Sequence, residues 1–409
     1  MGYGGPAVCG LHLRRRLTRF SIIERQKPMK IIIGAVISLS PYSPGTAWDR
    51  LQYAAGFQKL GHDVYYIEEV KPDWCVDSRG ERCDFEHSVN RDLFRVSMER
   101  VGLMERACQI YNQGEATFGL SLNSLVALSK DADVLINITG EVKTEPVLSN
   151  IKRRVYLDQD PVYTQLWNGE YGKDLNFKMH DIFFSVGLNI GTPHTTIPDC
   201  GVEWRHTLPP IVPEQWPFHI DPSCRRFTTV ASWAGFSDLC FRGEWYGSKY
   251  EEFKRFAELP RKAKQEMEIA LRRNREDDAG ILLLKDNGWF LKEASQIADL
   301  SSYQDYIARS RAEIGIAKNA YVKGRAGWFG DRAAHYLASG KPVLAQSTGL
   351  ERSLPTGKGL VTFSDIEEAV EGVKAINRDY ETHCRAAREF AEEHLDYRKV
   401  LTGMLELCA

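Results

Sequence analysis

Cations and glycines crowd one stretch of the sequence, KGRAGWFGDRAAHYLASGKPVLAQSTG. Lys323, Arg325 and Arg332 lie around Gly324, Gly327 and Gly330, and the loop runs into helical spacing at Asp331. Free backbone N–H groups and the dipole at a helix start attract anions, and nearby cations add to that field. Such a combination stabilises a departing nucleoside diphosphate as a sugar bond breaks. The competing reading is a solvated basic face.

Three further segments offer chemistry. In YLDQDP, period-two spacing at the end of a strand sets Asp158 and Asp160 on one face, where two carboxylates sharing a cleft would raise the pKa of one. One of them could then deprotonate an acceptor hydroxyl; a capping or turn aspartate before Pro161 is the other reading. In Ser232-Trp233-Ala234-Gly235, small residues after a strand let backbone approach a diphosphate, Ser232 can donate a hydrogen bond, and Trp233 faces either the ligand or the core. Gly45-Thr46 precedes a helix and suits an acceptor hydroxyl or a plain capping loop, and Asn189 sits in the loop GLNIG after another strand. No GxGxxG or GxxxxGK[ST] run occurs at the first strand-to-helix turn, so dinucleotide and P-loop fingerprints are absent there.

Loops that follow strands must position these groups, because ligands of open α/β sheets bind beyond the carboxyl ends of the strands. The spacing predicts a strand from Lys30, a helix over Ala47 to Leu60 stopped by Gly61, and a strand at Asp63 to Ile67: a βαβ opening with a parallel sheet. Further strands are expected at Asp133 to Ile138, Arg154 to Leu157 and Asp181 to Val186. Prolines 198, 209, 210, 213, 217 and 222 then interrupt regular structure. A second series follows, with strands at Phe227 to Val230, Glu268 to Leu271, Gly280 to Leu284, Ala312 to Ala317 and Lys341 to Ala345. Its helices are expected near Lys249 to Ala257, Tyr303 to Ser310 and Arg332 to Ser339. The expected organisation is a first domain over 29–212, a linker over 213–226, a second domain over 227–384 and one closing amphipathic helix over 385–409.

At 409 residues the chain exceeds the roughly 250–300 at which single cores stop growing, so two domains are expected. Hydrophobic residues are 43% and charged residues 26%, which is globular usage. A formal net charge of -2 supplies no global basic field, so a nucleic-acid partner is not expected. The nine cysteines include no CxxC pair, which points to reduced thiols and a cytoplasmic setting rather than a zinc site or disulfide framework. No apolar run approaches the ~20 residues of a membrane span. Residues 1–28 carry Arg14, Arg15, Arg16, Arg19, Arg25 and Lys27 against Glu24 and read as a disordered extension ahead of Met29.

HYLASGKPVLA, residues 335 to 345, resembles the donor-domain signature of GT-B glycosyltransferases of the group 1 type. TAWDRLQYAAGFQKLGHDVYYIE, YLDQDPVYTQ and GWFGDRAAHYLASGKPVL are similar to stretches of poorly characterised bacterial glycosyltransferase-like proteins. The resemblance implies two Rossmann-like domains facing a cleft and transfer of a sugar from a UDP- or GDP-sugar to an unidentified acceptor, with no obligatory metal or other cofactor. It implies donor orientation by Asp331 and His335, and phosphate contacts from Ser232, Lys323, Arg325 and Arg332. Many such enzymes carry two glutamates eight positions apart, and the same register here holds Gly327 and His335, with Asp331 between them. A nucleotide-sugar epimerase and a catalytically silent nucleotide-sugar-binding protein are the alternatives on the same fold.

Overall fold

A computed structural model describes residues 27–39, 43–273 and 275–408. All but the last two residues of the expected 1–28 extension therefore lie outside the described residues.

The first sheet is built from β1 (Lys30–Gly34), β2 (Asp63–Val70), β3 (Ala107–Tyr111), β4 (Ala116–Gly119), β5 (Val134–Ile138), β6 (Arg154–Asp158), β7 (Ile182–Ser185) and β8 (Trp204–His206). Its order is β4-β3-β2-β1-β5-β6-β7-β8, and every pairing is parallel except β3 with β4. Parallel strands covered on both faces read as continuous apolar runs, and Ile31, Ile32 and Ile33 in β1 are all fully buried. Helix α1 (Pro44–Lys59) makes the first crossover and starts with Pro44, whose fixed φ suits a first turn.

The second sheet holds β9 (Phe227–Ser232), β12 (Met267–Arg272), β13 (Trp289–Glu293), β14 (Ala312–Gly315), β15 (Val343–Gln346) and β16 (Leu360–Phe363) in the order β13-β12-β9-β14-β15-β16, all parallel. Between β9 and β12 stand a small hairpin, β10 (Leu239–Phe241) with β11 (Glu244–Tyr246), and helix α2 (Lys249–Arg255). Then follow α3 (Asp278–Asp286), α4 (Leu300–Ala308), α5 (Asp331–Ala338), α6 (Tyr380–Phe390) and α7 (Tyr397–Cys408). The two sheets are Rossmann-like: each runs outward from a first strand in both directions, which creates a reversal point, at β1/β5 and at β9/β14.

Two expectations fail. Gly280 to Leu284 is not a strand but the middle of α3, because Asp277 caps the Gly280 N–H and commits the segment to a helix whose Leu284 is buried. The single closing helix from Arg385 is instead α6, a wide turn over Ala391–Leu395, and α7. The chain crosses between the sheets at Ile211 and returns at Leu395–Tyr397; the two crossings pair, with Ile211 N donating to Leu395 O and Tyr397 N to Ile211 O. Helix α7 packs on α1, where Leu401 and Tyr397 meet Gly56 so closely that a Cβ there would stand 2.5 Å from Leu401 Cδ1.

Beside one core in each domain, a third apolar cluster joins them: Trp48 of α1, Trp216 of the crossing, Tyr303 of α4, Phe329, and Leu337 of α5.

Candidate functional site

The carboxyl ends of both sheets open onto one crevice of about 320 Å³ between the domains. Its charged lining is Arg50, Lys249, Arg272, Lys318 and Arg332 against Asp49, Asp160 and Asp331. Among the described residues no group of His, Cys, Asp and Glu side chains is arranged to hold a metal ion.

The second domain supplies the basic wall. Ser232 ends β9, Arg272 ends β12 and Lys318 follows β14, each at the place where a parallel strand gives way to a loop. Lys249 is the first residue of α2, a position the helix dipole makes unfavourable for a cation. It has no ion-pair or hydrogen-bond partner among the described residues. Burial, and then the like charges of Arg332 and Lys318, hold its ammonium well below the usual lysine range. Arg332, in the first turn of α5, donates through Nε to the fully buried Glu313 of β14 and through Nη1 to Val230 O at 2.7 Å. Burial raises the Glu313 carboxyl above its ordinary range, against the pull of Arg332. The N-cap of α5 is Gly330 and no side chain caps it, which leaves the first-turn N–H groups without a side-chain partner at the edge of the crevice that Phe329, Asp331 and Arg332 line.

The opposite wall is the start of α1, with Gly45, Thr46, Asp49 and Arg50. Asp49 Oδ2 accepts from Arg50 Nη1 at 2.8 Å and from Gln159 Nε2 at 2.7 Å. Burial pushes its carboxyl up to about 6, against the attraction of Arg50 and with the charge of Asp331 across the crevice adding to the rise. Beyond β6, Asp160 Oδ1 accepts from Lys318 Nζ and from the Tyr321 hydroxyl, both at 2.7 Å, and so ties the two walls together. Against burial, which would raise it, these partners hold Asp160 below the usual carboxylate range.

The structure brings Ser232, Asp331, Arg332, Asp160, Gly45 and Thr46 to this crevice and sends the other expected residues elsewhere. Asp158 does not share a face with Asp160. The strand ends at Asp158, whose oxygens turn inward to accept from Thr164 Oγ1, Gln165 Nε2, Ser185 Oγ and the Asp160 N–H. It is saturated and fully buried, a fixed support for the loop that carries Asp160. Trp233 is core: fully buried, stacked on Phe253, with Nε1 donating to Asp277. Lys323 reaches away, to Glu244 and the Trp245 carbonyl on the hairpin. His335 lies one turn deeper than Asp331, stacked on Trp216 at 4.4 Å and beside the Tyr303 hydroxyl, and burial lowers its pKa to about 4.

Arg325, Gly327 and Asn189 turn out to join the domains. Gly187 bridges Trp328, Leu188 N donates to Gly327 O, and Asn189 Nδ2 donates to Arg325 O at 2.8 Å. Gly327 (φ +68) is required here rather than at phosphate, because a Cβ would stand 2.9 Å from the Asn189 nitrogen. Sequence reasoning missed Lys249, Arg272, Lys318, Asp49 and Arg50. A signal existed for two of them: Arg272 and Lys318 follow apolar strand runs, the rule that found Ser232.

No family model matches the chain, and no curated relative matches it. Solved structures do. An alpha-glucosyltransferase in complex with UDP and a 13-mer DNA superposes with a TM-score of 0.57 at 14% identity, over 93% of this chain and 99% of that one. HepE from Anabaena in complex with UDP-glucose gives 0.56 at 12%, over 93% and 99%. A glycosyltransferase from Rickettsia africae gives 0.53 at 10%, over 94% and 98%. At these identities the likeness speaks for the fold alone. With two Rossmann-like sheets, a crevice between their carboxyl edges and nearly full-length coverage, this chain has the GT-B fold.

Proposed function

We propose that the chain is a glycosyltransferase that takes a sugar from a nucleoside-diphosphate sugar, a UDP-sugar in the first instance, and passes it to an acceptor held on the α1 wall. The observation that carries this reading is the basic wall: Lys249, without a partner among the described residues, Arg272 at a strand end and the uncapped start of α5 converge on one crevice. A diphosphate leaving group gathers negative charge as its bond to the sugar breaks, and fixed cations and N–H dipoles stabilise that charge without reorganising. Ser232, Lys249 and Arg272 are assigned to the diphosphate. Arg332, anchored on Glu313, adds to the field, and Asp331 orients the sugar. Structural neighbours whose crystals hold UDP or UDP-glucose support the choice of nucleotide.

Thermal unfolding with UDP, GDP, ADP and dTDP, and then with their sugars, tests the proposal. A ligand at a hundred times its Kd stabilises the folded state by about 2.7 kcal/mol, so the true nucleotide stands apart from the rest. Stabilisation by one nucleotide and slow hydrolysis of its sugar are expected. No shift with any of the four overturns the reading.

A further inference from the structure

An ion pair spans the crevice from one domain to the other. Lys318, just after β14, sends Nζ to Asp160 Oδ1 at 2.7 Å, and the Tyr321 hydroxyl closes the triangle, accepting from Nζ at 2.8 Å and donating to the same Oδ1 at 2.7 Å. The two partners are not equally free to move. Asp160 is fixed, because its N–H donates to Asp158, which Thr164, Gln165 and Ser185 lock in place. Two residues on, Val162 stands at φ +76, a conformation that costs a β-branched residue dearly and persists only where the surroundings over-determine the backbone. Lys318 instead carries its charge on a flexible four-carbon stem. Its Cε would stand 3.6 Å from a Cβ at Gly235, in the loop that Ser232 begins, and its charge is felt by the Lys249 ammonium. A diphosphate seated on Ser232 and Lys249 therefore falls within the sweep of the Lys318 side chain. Arg332 is held differently, on Glu313 and the Val230 carbonyl of its own domain.

We propose that the Asp160 carboxylate stands in for a phosphate at Lys318 while the crevice is empty, and that the diphosphate of the donor displaces it. The proposal rests on the nucleotide-sugar reading above. On binding, the Lys318 ammonium leaves Asp160 and donates to a diphosphate oxygen, while Asp160 keeps the Tyr321 hydroxyl. Sharing is disfavoured, since two anions held in contact with one ammonium repel each other, and the diphosphate carries more charge than the carboxylate. No covalent bond or proton moves; one cation changes partner. Asp160 thus sets the affinity of the crevice for nucleoside diphosphates, although it belongs to the opposite wall. Once the sugar has gone, the same carboxylate competes for Lys318 again and shortens the stay of the spent nucleotide.

The test is a double-variant cycle on the full chain, read by calorimetric titration with UDP, or with whichever of the four nucleoside diphosphates the thermal screen selects. Wild type, Asp160→Asn, Lys318→Met and the double variant are compared. Asp160→Asn is expected to bind about tenfold more tightly than wild type, because its ammonium starts unengaged, and to release the nucleotide more slowly by a similar factor. In the Lys318→Met background the same substitution is expected to change affinity by less than about twofold. Equal tightening with and without Lys318 is plain repulsion between Asp160 and the diphosphate, and it overturns the proposal. An Asp160→Asn protein that binds as wild type does, or more weakly, overturns it too. Binding of none of the four nucleotides by the wild type defeats the donor reading, and the exchange with it, an outcome distinct from either of these. Melting temperatures establish that each variant folds; should Asp160→Asn not, Asp160→Ser removes the same charge, still accepts from Tyr321 and takes its place in the cycle.

Discussion

Replacing Arg332 with alanine looks like a direct probe of phosphate binding, but the structure makes it first a probe of stability. The Arg332 side chain is 11% exposed and its partner Glu313 is 0% exposed. Only Glu313 Oε1 is engaged by Arg332, and Oε2 has no hydrogen-bond partner among the described residues. Arg332→Ala therefore leaves a carboxylate buried and uncompensated, which costs about 3–5 kcal/mol in comparable cases. For a domain of this size each kcal/mol moves the melting temperature by about 2–4 °C, so a fall of roughly 6–20 °C is expected in differential scanning fluorimetry without ligand. The double variant Arg332→Met with Glu313→Gln removes both charges. It should recover most of the loss, short of about 1 kcal/mol for the Val230 carbonyl that Arg332 also serves. An Arg332→Ala protein that melts within about 2 °C of wild type, or a double variant that melts below the single, would refute the reasoning. Any loss of nucleotide affinity must accordingly be read from the double variant.

Three other outcomes follow from the same geometry. His335 and His180 are both held neutral by burial, with pKa values of about 4 against an ordinary 6.5. Between those values the unfolded chain binds protons that the folded chain refuses, so stability falls as pH drops from 6.5 toward 4, by up to about 3 kcal/mol for each histidine. His335→Phe keeps the stack on Trp216 and should flatten the melting-temperature profile over that window; an unchanged slope counts against it. Among the described residues the Arg272 side chain has a single long hydrogen bond, to Ser43 at 3.5 Å. Arg272→Ala should thus leave melting nearly unchanged while weakening nucleotide binding by about 1.5–3 kcal/mol in calorimetry. Gly56→Ala drives a methyl into Leu401 and should destabilise by about 1–3 kcal/mol with nucleotide affinity intact. A loss of affinity there would show that α7 reaches the crevice energetically.

Periodicity made the parallel sheets legible because their strands are apolar on both faces; β1, β5, β6, β7, β9, β12, β14 and β15 all fall on expected runs. The edge strands β4, β8 and β16 are only partly buried, so they lack the pattern of a strand covered on both faces. In ILLLKD the apolar run of α3 resembles a buried strand, and only the Asp277 cap separates the two. At the site, residues that end strands were within reach of the sequence. Gly327, Asn189 and Arg325 were misread because a glycine shows that backbone must approach something closely and does not say what. Here the neighbour is the other domain. Asp158 was indistinguishable from Asp160 until the strand end was placed between them.

The Gly187–Asn189 strip joined to Arg325–Trp328 has a kinetic meaning. The paired crossings at Ile211 and Tyr397 fix one edge of the interface and can serve as an axis. Swinging the domains apart about that axis must unzip the strip, since its hydrogen bonds run from one domain to the other. On the proposed reading, residence time of a spent nucleotide is then set partly by bonds that never touch it. Loosening Asn189 would speed turnover in an enzyme limited by release and slow it in one limited by chemistry.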